Sequence, residues 1–194
     1  MSVLTPAANA AVAVSGPPLL TAEEFVERYP NHRVELVDGI VKELPMPKFP
    51  HGWLCALISR LLGNHVEDVR FGWVVSHDTF VLVKRDPDLV RGPDTAVYSF
   101  ARLPAGPIPE DPRDIMPELV VEVKSPSDRW KDIYVKIAEY LDAGVQVVVV
   151  LDAATQTAQI CRGNSQYETL HRPDTLTVAD VLPGFAVPLA RLFP

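Results

Sequence analysis

Glu122 and Lys124 lie two positions apart in the run Glu118-Leu-Val-Val-Glu-Val-Lys-Ser-Pro126. Side chains alternate along an extended strand, so Leu119, Val121 and Val123 share one face and Val120, Glu122 and Lys124 share the other. A carboxylate and an ammonium therefore stand side by side at the end of an apolar strand, where a charge without a partner is costly. Alone, this pair reads first as a simple strand-end ion pair. Upstream, Gly92-Pro93-Asp94 opens a second β-rich run, with Asp94 on the face of Ala96 and Tyr98. Alone, Asp94 is a turn aspartate. Together the pieces are Pro-Asp and then, 28 positions later, Glu-x-Lys. Carboxylates at adjacent strand ends can share a hard divalent cation, Mg²⁺ or Mn²⁺, through oxygen ligands. A neighbouring lysine can orient an attacking water and offset charge on a phosphate. That is the equipment of metal-assisted phosphodiester hydrolysis. It requires the oxygens of Asp94 and Glu122 to converge, with Lys124 Nζ in the same cleft.

Other polar residues have two readings each. Glu35 alternates with Val34 and Leu36, which suits a solvated hairpin position as well as a site role. Arg129, Asp132 and Lys136 fall at i, i+3 and i+7, along one edge of a helix whose buried stripe is Ile133, Ile137, Tyr140 and Leu141. They are either phosphate contacts or a salt-bridged rim. His51 follows Phe49-Pro50 at a helix start, where a lone histidine is more often structural than catalytic. His51 and Cys55 are four apart, a spacing compatible with two zinc ligands, but no second ligand pair is near them in sequence. Cys161, beside Ile160, reads as an inert core or edge residue.

The elements that must position these residues follow from pattern. Thr21 and Glu24 form a capping box for a short helix from Ala22 to about Tyr29. Asp38-Gly39 between β-branched runs predicts a two-residue hairpin within Arg33–Leu44. Leu54, Leu57, Ile58, Leu61, Leu62 and Val66 give a helical stripe from about Gly52 to Val69. Strands are expected at Trp73–Ser76, Thr79–Lys84, Asp94–Tyr98 and Glu118–Val123. Five prolines between Leu103 and Pro117 predict a long surface loop. Ser127 or Asp128 is the expected cap of a helix ending near Asp142 before Gly144. Val145–Leu151, apolar on both faces, reads as a buried central strand. A hairpin is expected over Thr157–Arg162 and Tyr167–His171 around Gly163-Asn164, then a turn at Val178–Leu182. Strand, helix and strand over 118–151 make a βαβ crossover, so the sheet is mixed.

Taken as an ordered set, Arg33-Val-Glu-Leu-Val-Asp-Gly39, His51, Val90-Arg-Gly-Pro-Asp94 and Glu122-Val-Lys-Ser-Pro-Ser127, with Lys136, Tyr140 and Gly144-Val145, resemble a known pattern. Pro93-Asp94 with Glu122-Val123-Lys124 is similar to the signature of the PD-(D/E)XK phosphodiesterases, and the whole set to the bacterial restriction-endonuclease-like proteins within them. The resemblance covers about residues 20–190. It implies an α/β restriction-endonuclease-like core, a mixed central sheet flanked by helices, with N-terminal and C-terminal β-hairpin additions. It implies Asp94, Glu122 and the Val123 carbonyl as ligands of Mg²⁺ or Mn²⁺, and Lys124 as the water-orienting group. Glu35 matches the family's acidic residue upstream of the core, which implies a catalytic place for it, in contact with the metal or a bound water. Arg129, Lys136 and His51 are the expected substrate contacts. Many relatives carry an apolar residue where this chain has Lys124, so its presence favours an intact site. The alternative is a nuclease-fold binding or assembly module without turnover.

The chain has 194 residues, 47% hydrophobic, and a formal charge of −7. That suits one domain over 19–194 behind a disordered arm at 1–18. The acidic balance excludes a passive polybasic nucleic-acid binder. Residues 120–136 nevertheless carry a net +1, so a local electropositive cleft for DNA is expected on an acidic protein, with salt-sensitive affinity. Two cysteines suit a reducing, cytoplasmic setting, and no run is long enough for a membrane helix. The apolar tail (Leu182, Phe185, Val187, Leu189, Leu192, Phe193) and the needs of double-strand cleavage predict a homodimer.

Overall fold

The computed structural model describes residues 18–30, 32–163 and 166–194. The expected arm, apart from Pro18, and Asn164 of the expected turn lie outside the described residues. Helix α1 (Ala22–Arg28) begins as the capping box predicts: Glu24 N–H donates to Thr21 Oγ1, and Thr21 N–H donates to the Glu24 carboxylate. Strands β1 (Val34–Val37) and β2 (Ile40–Glu43) turn at Asp38-Gly39 with φ of 50° and 77°, the positive pair that a type I′ turn requires. Helix α2 (Phe49–Asp68) starts three residues earlier than its stripe suggests, because Pro50 is tolerated in a first turn whose N–H groups lack helical partners anyway.

Strands β3 (Gly72–Ser76) and β4 (Val81–Lys84) follow, then β5 (Leu89–Arg91), β6 (Thr95–Ser99) and β7 (Leu119–Lys124). Three residues running into Gly-Pro carry no readable period, so β5 was not expected. Helix α3 (Trp130–Asp142) starts later than expected, with Arg129 at the cap and no side-chain cap bond. Asp128 is occupied elsewhere: its carboxylate accepts the Ser125 N–H at 2.7 Å and closes the preceding turn. Strands β8 (Val147–Asp152), β9 (Thr157–Arg162) and β10 (Gln166–Leu170) complete the main sheet. The tail adds β11 (Thr175–Thr177), β12 (Ala186–Pro188) and the short α4 (Leu189–Leu192) around the expected turn at Val178–Leu182.

The six-stranded sheet has the order β10-β9-β8-β7-β6-β3. Only β7 and β8 are parallel, with α3 as their crossover. Leu119, Val121, Val123, Val147, Val149 and Leu151 face α2 on one side of this sheet. Val120, Val148 and Val150 face Ile133, Ile137 and Tyr140 of α3 on the other. The 72–98 strands do not all belong to this core. β4 and β5 join the N-terminal hairpin in a second sheet, β2-β1-β5-β4, where Leu36 pairs with Val90. The hairpin is thereby fixed against the segment that leads into Asp94.

The tail corrects one expectation. Leu182, Phe185, Val187, Leu189, Leu192 and Phe193 are all buried in the α2-side core of their own chain. Removing that apolar area from water is accomplished within the protomer, so the tail gives no argument for a dimer.

Candidate active site

β6 and β7 are paired from Thr95↔Val121 to Val97↔Leu119. Beyond that point the ladder is continued by a side chain: Asp94 Oδ2 accepts the Val123 N–H at 2.7 Å. Asp94 Oδ1 lies 3.1 Å from His51 Nε2 of α2, whose Nδ1 is 3.2 Å from Ser125 Oγ just past β7. Asp94 is thus held from two elements, and each oxygen keeps a further lone pair. Its hydrogen bond raises the His51 pKa, against the effect of burial, with the Val123 backbone beside the ring adding to the rise.

Glu122 leaves the opposite face of β7. Its Oε1 accepts from Tyr140 Oη at 2.9 Å and lies 3.8 Å from Lys136 Nζ, both on α3. Its pKa is raised to about 7, first by burial, with Lys136 opposing the rise and the charges of Asp94 and Glu35 adding to it. Glu35 is fully buried, between Arg91 Nη1 at 2.6 Å and Lys136 Nζ at 2.8 Å. Burial would raise its pKa, but the two cations prevail and lower it. Arg91 completes the array with a contact to Glu139 at 2.6 Å.

Asp94, Val123, Glu122 and Lys136 border one small cleft of about 70 Å³. Glu35, Glu122, Lys124, Arg129, Asp132 and Lys136 border an adjoining cleft of about 450 Å³. The donor set fits a hard divalent cation: two carboxylates and a main-chain segment border one cleft, and the Asp94 charge raises the Glu122 pKa. Asp94, Glu122 and the Val123 carbonyl are the groups that would hold it.

Lys124 and Lys136 border the larger cleft with Glu122, and each also faces a carboxylate. Lys124 Nζ lies 3.8 Å from buried Asp152 and 5.8 Å from the centre of the Trp130 ring. The ammonium nearest Glu122 is Lys136, expected as a phosphate contact but engaged with Glu35 and Glu122. Arg129, exposed at the head of α3, makes no ion pair among the described residues. Glu35 is not a solvated hairpin residue, since the second sheet turns it into the interior. The sequence pattern places Tyr140 in the buried stripe and Arg91 in a motif block, but gives neither of them, nor Glu139, a part in the site. The available signal was spacing, because Lys136, Glu139 and Tyr140 fall at i, i+3 and i+4 and so share one face of α3.

A crystal structure of a nuclease-like protein from Anabaena variabilis, described as a putative nuclease belonging to DUF820, matches this fold with a TM-score of 0.77 at 21% identity, covering 90% of this chain and 97% of that one. No curated protein matches the chain. The Uma2 family, described as "Putative restriction endonuclease", matches residues 22–190, the span that carries all three described sheets, α2, α3 and every side chain of the two clefts. The chain belongs to this Uma2 family of restriction-endonuclease-like, PD-(D/E)XK proteins.

Proposed function

We propose that the protein is a Mg²⁺- or Mn²⁺-dependent nuclease that hydrolyses a phosphodiester bond of nucleic acid, with DNA as substrate. The observation that carries this reading is the meeting of Asp94 and Glu122 in one cleft, beside a Val123 backbone whose N–H is already bonded to Asp94. A bound divalent ion supplies Lewis acidity: it lowers the pKa of water and offsets charge on the phosphate. The chain's own groups do the positioning. His51 and the Val123 N–H fix the Asp94 carboxylate. Tyr140 and Lys136 fix Glu122. Lys124, in the wall of the larger cleft, orients the attacking water, and Arg129 meets the phosphate backbone.

The contact of Lys124 with Asp152 favours a second reading, a binding module without turnover, because it turns the ammonium toward β8. Two measurements separate them. Millimolar Mg²⁺ or Mn²⁺ is expected to raise the melting temperature of the wild type, and no rise rules out the metal-dependent reading before any DNA is added. Lys124→Ala is then expected to keep the metal response and lose at least about a hundredfold in plasmid cleavage. Equal cleavage by the variant and the wild type refutes the role of Lys124.

Cleavage of both strands of a duplex also suits two clefts related by a two-fold axis. The proposed state is a cytoplasmic homodimer. Light scattering at micromolar concentration is expected to give twice the chain mass of 21.4 kDa; a monomer mass overturns that part of the reading.

A further inference from the structure

The second turn of α2 brings a thiol to Asp94. The ring nitrogen of His51, Cys55 Sγ and a carboxylate oxygen of Asp94 all lie within 4.8 Å of one another. His51 and Cys55 are one helical turn apart on α2, and the sheet contributes Asp94, the third ligand that the helix alone does not have. The trio borders a cleft of about 280 Å³, which provides an entry path from solvent. We propose that His51, Cys55 and Asp94 form a binding site for a borderline-soft divalent ion of the zinc class, distinct from the oxygen-only site but sharing Asp94 with it.

Three observations support a built site. The 3.1 Å between His51 Nε2 and Asp94 Oδ1 approaches the separation of roughly 3.3 Å expected for two ligands bonded at 2.0–2.1 Å in a tetrahedron. His51 Nδ1 faces Ser125 Oγ at 3.2 Å, and Asp94 Oδ2 is held by the Val123 N–H. Both ligands therefore have outer partners that set ring and carboxylate orientation. The set of one thiol, one imidazole and one carboxylate favours zinc over magnesium, and leaves a fourth position for water. Binding replaces the Cys55 S–H bond with a metal–sulfur bond and the His51–Asp94 hydrogen bond with two metal–ligand bonds; the thiol proton goes to solvent, and the neutral ring keeps its proton on Nδ1, facing Ser125 Oγ. If Asp94 also serves the proposed hydrolytic site, as the nuclease reading requires, zinc and magnesium compete for it. Zinc then acts as an inhibitor.

Cobalt(II) is the probe, because its thiolate complexes absorb by sulfur-to-metal charge transfer. Titration of the full chain is expected to give this band at one cobalt per chain, with Zn²⁺ displacing it. Cys55→Ser should lose the band and Cys161→Ser should retain it. A wild type without the band, or a band that persists in Cys55→Ser, overturns the proposal. An independent check uses the wild type alone. Zn²⁺ at about ten times its dissociation constant should slow alkylation of Cys55 about tenfold; an unchanged rate overturns the proposal equally. A cobalt band without any magnesium-induced rise in melting temperature supports this site and rules out the hydrolytic one. The reverse result does the opposite.

Discussion

Glu35→Ala is expected to lower the melting temperature by roughly 6–20 °C. Glu35 is fully buried and neutralises two cations at once, Arg91 at 2.6 Å and Lys136 at 2.8 Å. Removing one member of a buried ionic array leaves uncompensated charge, at a cost of about 3–5 kcal/mol. For a chain of this size each kcal/mol moves the transition by about 2–4 °C. Arg91 retains Glu139, so the larger share of the loss falls on Lys136, whose remaining neighbour is Glu122 at 3.8 Å. The double variant Glu35→Ala/Lys136→Met should recover part of the loss, because it removes the orphaned ammonium together with its partner. Thermal melts of the three proteins decide the matter. A single variant that melts within about 2 °C of the wild type would mean that Glu35 is solvated, as the hairpin pattern allows.

The second large effect concerns Glu122 and pH. Its carboxyl is raised from 4.5 to about 7, first by burial and then by Asp94 and Glu35, in opposition to Lys136. The native state therefore holds a proton between these values that the unfolded chain has released, so the associated stability is present below pH 4.5 and lost as pH rises through about 7. The whole contribution is on the order of 3 kcal/mol. His51, with its raised pKa, acts in the same direction near neutrality; Glu35, with its lowered pKa, acts in the opposite sense, losing stability as pH falls. Glu122→Gln isolates the Glu122 contribution, since glutamine does not titrate. Denaturant melts of both metal-free proteins at several pH values should show the wild type losing ground to the variant between pH 4.5 and 7. Parallel curves would show that Glu122 titrates normally. The same variant should lose the metal-induced rise, and in the wild type that rise should grow with pH as the carboxylate becomes available.

Local chemistry made much of this architecture legible in the sequence. The Thr21/Glu24 box, the Asp38-Gly39 turn, the α2 stripe, the apolar run of β8 and the alternation along β7 each depend on neighbours within a few residues, where periodicity and turn preference act. The partition of Glu122 from Val121 and Val123 followed from that alternation alone. The ordered motifs with Pro93-Asp94 and Glu122-Val123-Lys124 also sufficed to name the family. Three features depended on contacts between segments far apart in the chain. The pairing of Leu36 with Val90 turned Glu35 from a hairpin position into a buried carboxylate. The crossing of α3 over the sheet put Lys136, not Lys124, beside Glu122, while the pairing of Lys124 with Asp152 in the parallel ladder drew the motif lysine toward β8. The approach of α2 to the start of β6 added Asp94 to His51 and Cys55. Charges respond to whatever surrounds them in three dimensions. Sequence spacing therefore determined on which faces the ionisable residues lie, and only tertiary packing decided which of them neutralise one another.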